Sequence, residues 1–137
     1  MKFFYPAFHV PGAEAPILIC RSCGLHVASE FALVEIQGRP FRSTYRNPFG
    51  LEFEILTVER VSNLLLTSEP TREHSWFPGY AWRMASCSHC LTHLGWQFAA
   101  TRPALMPASF YGLWAEKLVS QAPLEEGRMD GYDEANL

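Results

Sequence analysis

From His74 to Phe98 the chain carries no Asp or Glu, although three of its four tryptophans fall in those 25 residues. Other absences narrow the possibilities further. No apolar run approaches the length needed to span a bilayer. Met1–Val10 is interrupted by Pro6 and His9 and has no clear apolar h-region, which argues against a secretory signal. The expected setting is therefore cytoplasmic, where thiols stay reduced and bind metals more readily than they oxidise. A basic face is also missing. The formal charge is −3, and from Glu116 onward six acids stand against Lys117 and Arg128, so the tail is −4 and the rest of the chain +1. Binding to a nucleic-acid backbone needs clustered Lys and Arg, and that class is disfavoured.

What is present suits one globular domain: 137 residues, 48% hydrophobic and 14% aromatic, enough for a modest core. Residues 1–16, with Pro6, Pro11 and Pro16, read as an N-terminal arm, and residues 120–137 as an acidic, disordered tail. The domain between them spans 17–119. Within it, Ile17-Leu18-Ile19 leads into Cys20-x-x-Cys23-Gly24. Phe31–Gln37 is a β-prone run closed by Gly38 and Pro40. Asn47-Pro48-Phe49-Gly50 is a turn signal, and the alternation in Glu52–Ile55 suits a half-buried strand. Val61–Thr67, Tyr80–Ser86 and Leu94–Ala100 read as further strands, and Pro107–Val119 as the one short stretch of helical composition. The fold class is all-β, with two small antiparallel sheets meeting at a metal.

That metal follows from the cysteines. Cys20, Cys23, Cys87 and Cys90 form two Cys-x-x-Cys pairs with none left over, and the pattern predicts one structural Zn²⁺ held by four thiolates. A clamp between points so far apart in the chain removes much unfolded-state entropy. A closed Cys₄ shell leaves no position for water, so it does no chemistry. A thioredoxin-like redox pair would need a βαβ unit, and none is present. His89 and His93 lie nearby but are surplus to a four-thiolate shell.

Large aromatics are usually core, so on composition alone Trp76, Trp82 and Trp96 could be packing. If they instead wall a cage, a cation is the obvious guest for their π-faces. Such cages gain from a nearby carboxylate, and this stretch has none, Glu73 lying just outside it. The acid-free lining favours a small, flat, neutral ligand.

His74-Ser-Trp-Phe-Pro-Gly-Tyr-Ala-Trp82, with Cys87/Cys90 and Gly95-Trp-Gln-Phe98 after it, closely resembles the thalidomide-binding domain of the cereblon family, the CULT domain. The resemblance runs from about Cys20 to about Leu113. It implies a β-tent fold and a ligand that is a cyclic imide: a glutarimide of the thalidomide type, a cyclised C-terminal Gln or Asn, or a similar, uridine-like ring. By resemblance, Trp76, Trp82 and Trp96 are the cage walls and Phe98 its floor. His74 and Trp76 bind the imide edge through backbone groups, with Ser75 between them, and Asn47-Pro48 close over the ligand. Phe49 and Phe53 fall where the family varies. Trp114 lies outside the matched pocket and reads as packing.

The resemblance has limits. Full-length cereblon carries a Lon-like domain and a helical region that docks on a ubiquitin-ligase adaptor. No adaptor-binding region is expected in this chain, which resembles the stand-alone, single-domain members. The leading expectation is a non-catalytic, zinc-stapled binding module. One alternative is an enzyme like the B-type methionine sulfoxide reductases, which share paired Cys-x-x-Cys motifs but need a further cysteine as nucleophile. The other is a purely structural or protein-interaction zinc module.

Overall fold

The computed structural model describes residues 16–122. Residues 1–15 of the expected arm (1–16) and 123–137 of the expected tail (120–137) lie outside the described residues; Ser120 and Gln121, assigned to that tail, are strand residues. Among the described residues nine strands make two antiparallel sheets. The smaller contains β1 (Ile17–Cys20), β2 (His26–Ser29) and β9 (Leu118–Gln121), in the order β2-β1-β9. The larger contains β3 (Arg42–Arg46), β4 (Glu52–Val58), β5 (Leu64–Leu66), β6 (Tyr80–Cys87), β7 (His93–Ala100) and β8 (Ser109–Trp114), in the order β3-β4-β8-β7-β6-β5. Among the described residues the helical pieces are two single 3-10 turns, Glu30–Ala32 and Ala115–Lys117, and no helix is long and apolar enough to cross a membrane.

The larger sheet is buried on both faces, and each face builds a different core. On one side Leu56, Val58, Leu94 and Leu113 pack against Leu18, Val27 and Leu118 of the smaller sheet. On the other, Ile55, Trp96, Phe98 and Phe110 pack with Tyr45, Phe77 and Tyr80. Full burial of an aliphatic or aromatic side chain contributes roughly 1.5–3 kcal/mol, so these two clusters supply the apolar share of the domain's stability. A bulge in β7 keeps them apart. Ser86 pairs with His93 and Ala85 with Gly95, which leaves Leu94 as the extra residue. The strand changes phase there, so Leu94 joins the inter-sheet core while Trp96 and Phe98 face the other way. Gly95 permits the bulge. A Cβ on it would stand 2.2 Å from the Gly112 carbonyl oxygen.

Two expected elements are corrected. Phe31–Gln37 is not a strand. The Ser29 hydroxyl accepts the Phe31 N–H and starts a 3-10 turn, after which Leu33 and Ile36 make only isolated bridges. Gln37 and Gly38 then turn the chain with left-handed backbones, at φ 52° and 77°. Pro107–Val119 is not helical. It supplies β8, a 3-10 turn and the first residues of β9, because β8 fills the ladder between β4 and β7 and its Phe-Tyr-Gly-Leu-Trp suits a two-sided strand.

Candidate functional site

The cysteines sit on two knuckles of the same design. Cys20 N–H donates to Leu25 C=O at 2.9 Å and Cys87 N–H to Thr92 C=O at 2.8 Å. In each, the residue after the second cysteine is left-handed: Gly24 at φ 81° and Leu91 at φ 64°. One knuckle extends β1 of the smaller sheet and the other extends β6 of the larger, so the site joins the two. The four sulfurs lie within 4.8 Å of one another, with Cys20–Cys90 at 3.6 Å and Cys23–Cys87 at 3.5 Å. Zn–S bonds of about 2.3 Å in a tetrahedron place sulfurs roughly 3.8 Å apart, so the residues fit the ion. Cys20 and Cys87 are buried and Cys23 and Cys90 half-buried. The thiols differ in acidity. Hydrogen bonds from the Thr92 hydroxyl and backbone hold Cys90 down to about 6, and burial pushes Cys20 up. At Cys23 the Leu25 backbone acts to lower the value, but burial and the neighbouring thiols outweigh it and push it up to about 12. One Zn²⁺ is the cofactor, and it supplies a structural cross-link. His89 and His93 are not part of the cluster.

On the far face of the larger sheet is a cavity of about 270 Å³. Its walls are Trp76, Trp82, Trp96 and Phe98, with Phe53 and His74. Asn47, Pro48 and Phe49, from the turn between β3 and β4, complete the lining. Nine of the ten ligand-binding residues expected from sequence thus border one space. Ser75 does not line it: its hydroxyl donates to Phe77 C=O at 3.1 Å and accepts from Phe77 N–H.

Two indole N–H groups are spent on backbone. Trp76 Nε1 donates to Arg46 C=O at 3.1 Å and ties its loop to the β3–β4 turn; Trp82 Nε1 donates to Glu73 C=O at 2.7 Å. Trp76 and Trp96 meet edge to face, with centroids 5.0 Å apart at 71°. Both rings also border the cavity. The loop is pinned from below by Phe77, fully buried against Phe98 and Phe110, and from the side by Gln37 Nε2, which donates to Pro78 C=O at 2.9 Å. The turn is held by Asn47, whose side-chain oxygen accepts from Phe49 and Leu51 N–H. Phe49 itself is 88% exposed at the rim.

Several supports were not found from sequence. Tyr45 stacks on Trp76 at 5.1 Å and 26°. His93 packs edge-on to Trp96 at 4.7 Å, its Nε2 2.9 Å from Gly95 C=O, and burial holds its pKa below the usual value. Trp114, which the sequence already marks as packing, lies behind Trp96 and Phe53. Tyr45 is the buried residue of β3, two residues before Asn47 in the following turn. The contacts of Phe77 and His93 depend on long-range pairing that no local pattern shows.

A three-stranded and a six-stranded sheet clamped by a Cys₄ site define a small zinc-stapled β domain. The family described as Yippee zinc-binding/DNA-binding /Mis18, centromere assembly, matches residues 16–128. The chain belongs to that family, and its domain is of the cereblon type. It is 43% identical to protein cereblon of Gallus gallus over 69% of this chain, and 37% identical to that of Danio rerio over 83%. Those matches cover 21% and 27% of the relatives, so the chain spans about a quarter or less of their length. In fold it is similar to the crystal structure of the Mis18 "Yippee-like" domain, with a TM-score of 0.54 at 15% identity, over 80% of this chain and 98% of that one.

Proposed function

We propose that this domain is a non-catalytic receptor for a small, neutral cyclic imide, such as a glutarimide, a cyclised peptide C-terminus or a uracil-like ring. The observation that carries the reading is an unspent set of backbone groups at an aromatic cavity. Among the described residues His74 C=O and Trp76 N–H have no hydrogen-bond partner, and both residues border the cavity. An imide edge presents acceptor, donor and acceptor in a row, which would answer such groups. Leaving them unpaired under a bound ring would cost about 1–3 kcal/mol each, which favours an imide over a plain hydrocarbon. The cavity size suits one small ring rather than a drug-sized ligand.

Catalysis has little support. The four cysteines converge on one cluster, which leaves no thiol for sulfoxide chemistry, and the Ser75 hydroxyl is held by Phe77. DNA binding, part of the family's description, is a weaker reading here, because residues 16–122 hold nine Lys and Arg against eight Glu. A cytoplasmic setting agrees with free thiols reserved for a metal.

Calorimetry with glutarimide tests the proposal. The expected result is saturable binding of one ring per chain with a change in tryptophan fluorescence, weakened about tenfold or more in Trp96→Ala, as for a central aromatic anchor. No saturable heat or fluorescence change in zinc-loaded protein would overturn it.

A further inference from the structure

The cavity's aromatic walls are backed by two cations. Arg39 places its guanidinium carbon 4.1 Å from the centre of the Tyr45 ring, and Tyr45 stacks on Trp76. Lys117 places Nζ 4.8 Å from the centre of the Trp114 ring, and Trp114 lies 6.3 Å from Trp96 at 35°. Neither Tyr45 nor Trp114 borders the cavity, whereas Trp76 and Trp96 do. Each cation therefore stands one ring behind a wall. Neither has an ion-pair partner among the described residues, while Arg42, Arg46 and Arg60 are paired with Glu54, Glu52 and Glu59.

We propose that Arg39 and Lys117 are specificity-determining residues that set the cavity against cationic guests. An aromatic cage binds a cation because its rings offer negative faces. Here a positive charge sits over the ring behind each wall, Tyr45 stacked on Trp76 and Trp114 tilted against Trp96, and draws electron density away from the walls. The same charges also repel a cation in the cavity directly. Arg39 lies no further from the Trp76 ring than the two stacking distances combined, roughly a Debye length at 0.1 M salt. A neutral ring feels no net repulsion. The acids next in sequence to lining residues, Glu73 beside His74 and Glu52 and Glu54 beside Phe53, do not themselves border the cavity. The selected class is then a neutral or anionic ring, and a methylated ammonium is rejected although the walls are tryptophan. The inference deepens the receptor reading and rests on the same cavity, but its test does not need the imide to bind.

The probe is tetramethylammonium, followed by tryptophan fluorescence and NMR in zinc-loaded protein at about 20 mM NaCl, beside glutarimide. Arg39→Gln and Lys117→Gln keep much of each stem's packing, and zinc content with a cooperative melt confirms the fold of each. The expected result is that the cation binds the double variant roughly three- to tenfold more tightly than the unaltered protein, with single variants between. The gain should shrink at about 300 mM NaCl as the charges are screened, and Arg60→Gln, which removes a cation stacked on none of these rings, should not produce it. If the double variant fails to fold, the single variants carry the comparison. Equal cation affinity in all variants, or an equal gain in Arg60→Gln, overturns the proposal. Loss of glutarimide binding alone would count against the receptor reading and leave this result standing.

Discussion

The indole N–H of Trp82 donates to the main-chain carbonyl of Glu73 at 2.7 Å, so a cavity wall also serves as the peg for the loop that carries His74 and Trp76. The ring face and the N–H can be separated by mutation. Trp82→Phe keeps an aromatic face and removes the donor. Loss of one such bond is worth about 1 kcal/mol, so imide affinity should fall roughly fivefold by calorimetry, with a small drop in melting temperature. Affinity equal to that of the unaltered protein would show that the peg does not organise the loop.

Of the glycines in the larger sheet, Gly95 leaves the least room for a side chain. A methyl group there meets backbone rather than a flexible side chain, at 2.2 Å from Gly112 oxygen and 3.0 Å from Leu113 Cα. Gly95→Ala should cost more than about 3 kcal/mol by chemical denaturation, beyond ordinary overpacking, or fail to fold. A loss below about 1 kcal/mol would mean that β7 and β8 can separate at no great cost.

Zinc removal should undo the junction between the sheets. Chelation is expected to abolish the cooperative melt, because a structural Cys₄ site contributes folding energy directly. Affinity for the ion should rise with pH, since Cys20 and Cys23 hold their protons above the ordinary thiol range and must release them on binding. Competition with a chromophoric chelator at several pH values measures this. An apo-protein that melts as sharply as the loaded one would contradict it.

The fold should also be acid-sensitive at His93. Burial favours its neutral ring and lowers its folded pKa beneath the ordinary histidine value of about 6.5. The unfolded chain therefore binds the proton first. The contribution is complete above about pH 6.5 and is lost as pH falls from there through the folded value. His93→Gln should flatten the stability profile in that window, with the remaining slope set by thiolate protonation. An unchanged profile would remove His93 from the account.

Leu91 offers the opposite case. It occupies a left-handed position that Gly24 fills in the sister knuckle, and it is 63% exposed. Leu91→Gly should be neutral or stabilise by up to about 1 kcal/mol, as relief of the left-handed strain offsets glycine's entropy. A loss above that size in thermal melts would show that the side chain packs in a way its exposure conceals.

The sequence was most legible where chemistry is local. Two Cys-x-x-Cys pairs, the Asn47–Gly50 turn and the alternation in Glu52–Ile55 each report on neighbours a few residues away, and each lies where expected. It was least legible where partners are distant. Pro107–Val119 has helical composition, yet Phe110 and Leu113 are strand residues because β4 and β7 need a neighbour between them. Phe31–Gln37 has strand composition, but the Ser29 cap and the left-handed Gln37 break it. The layer behind the cavity, with Tyr45, Phe77 and His93 propping the tryptophans, exists only once β3, β7 and the Trp76 loop have met. No spacing encodes it.

The most direct test is an NMR titration of zinc-loaded protein with glutarimide, following the four indole N–H signals. The signals of Trp76, Trp82 and Trp96 should move together and saturate at one ligand per chain, with Trp114, behind the wall, moving less. If ligand in large excess leaves the first three unmoved while the protein stays folded and metal-bound, the cavity is not a receptor for imides.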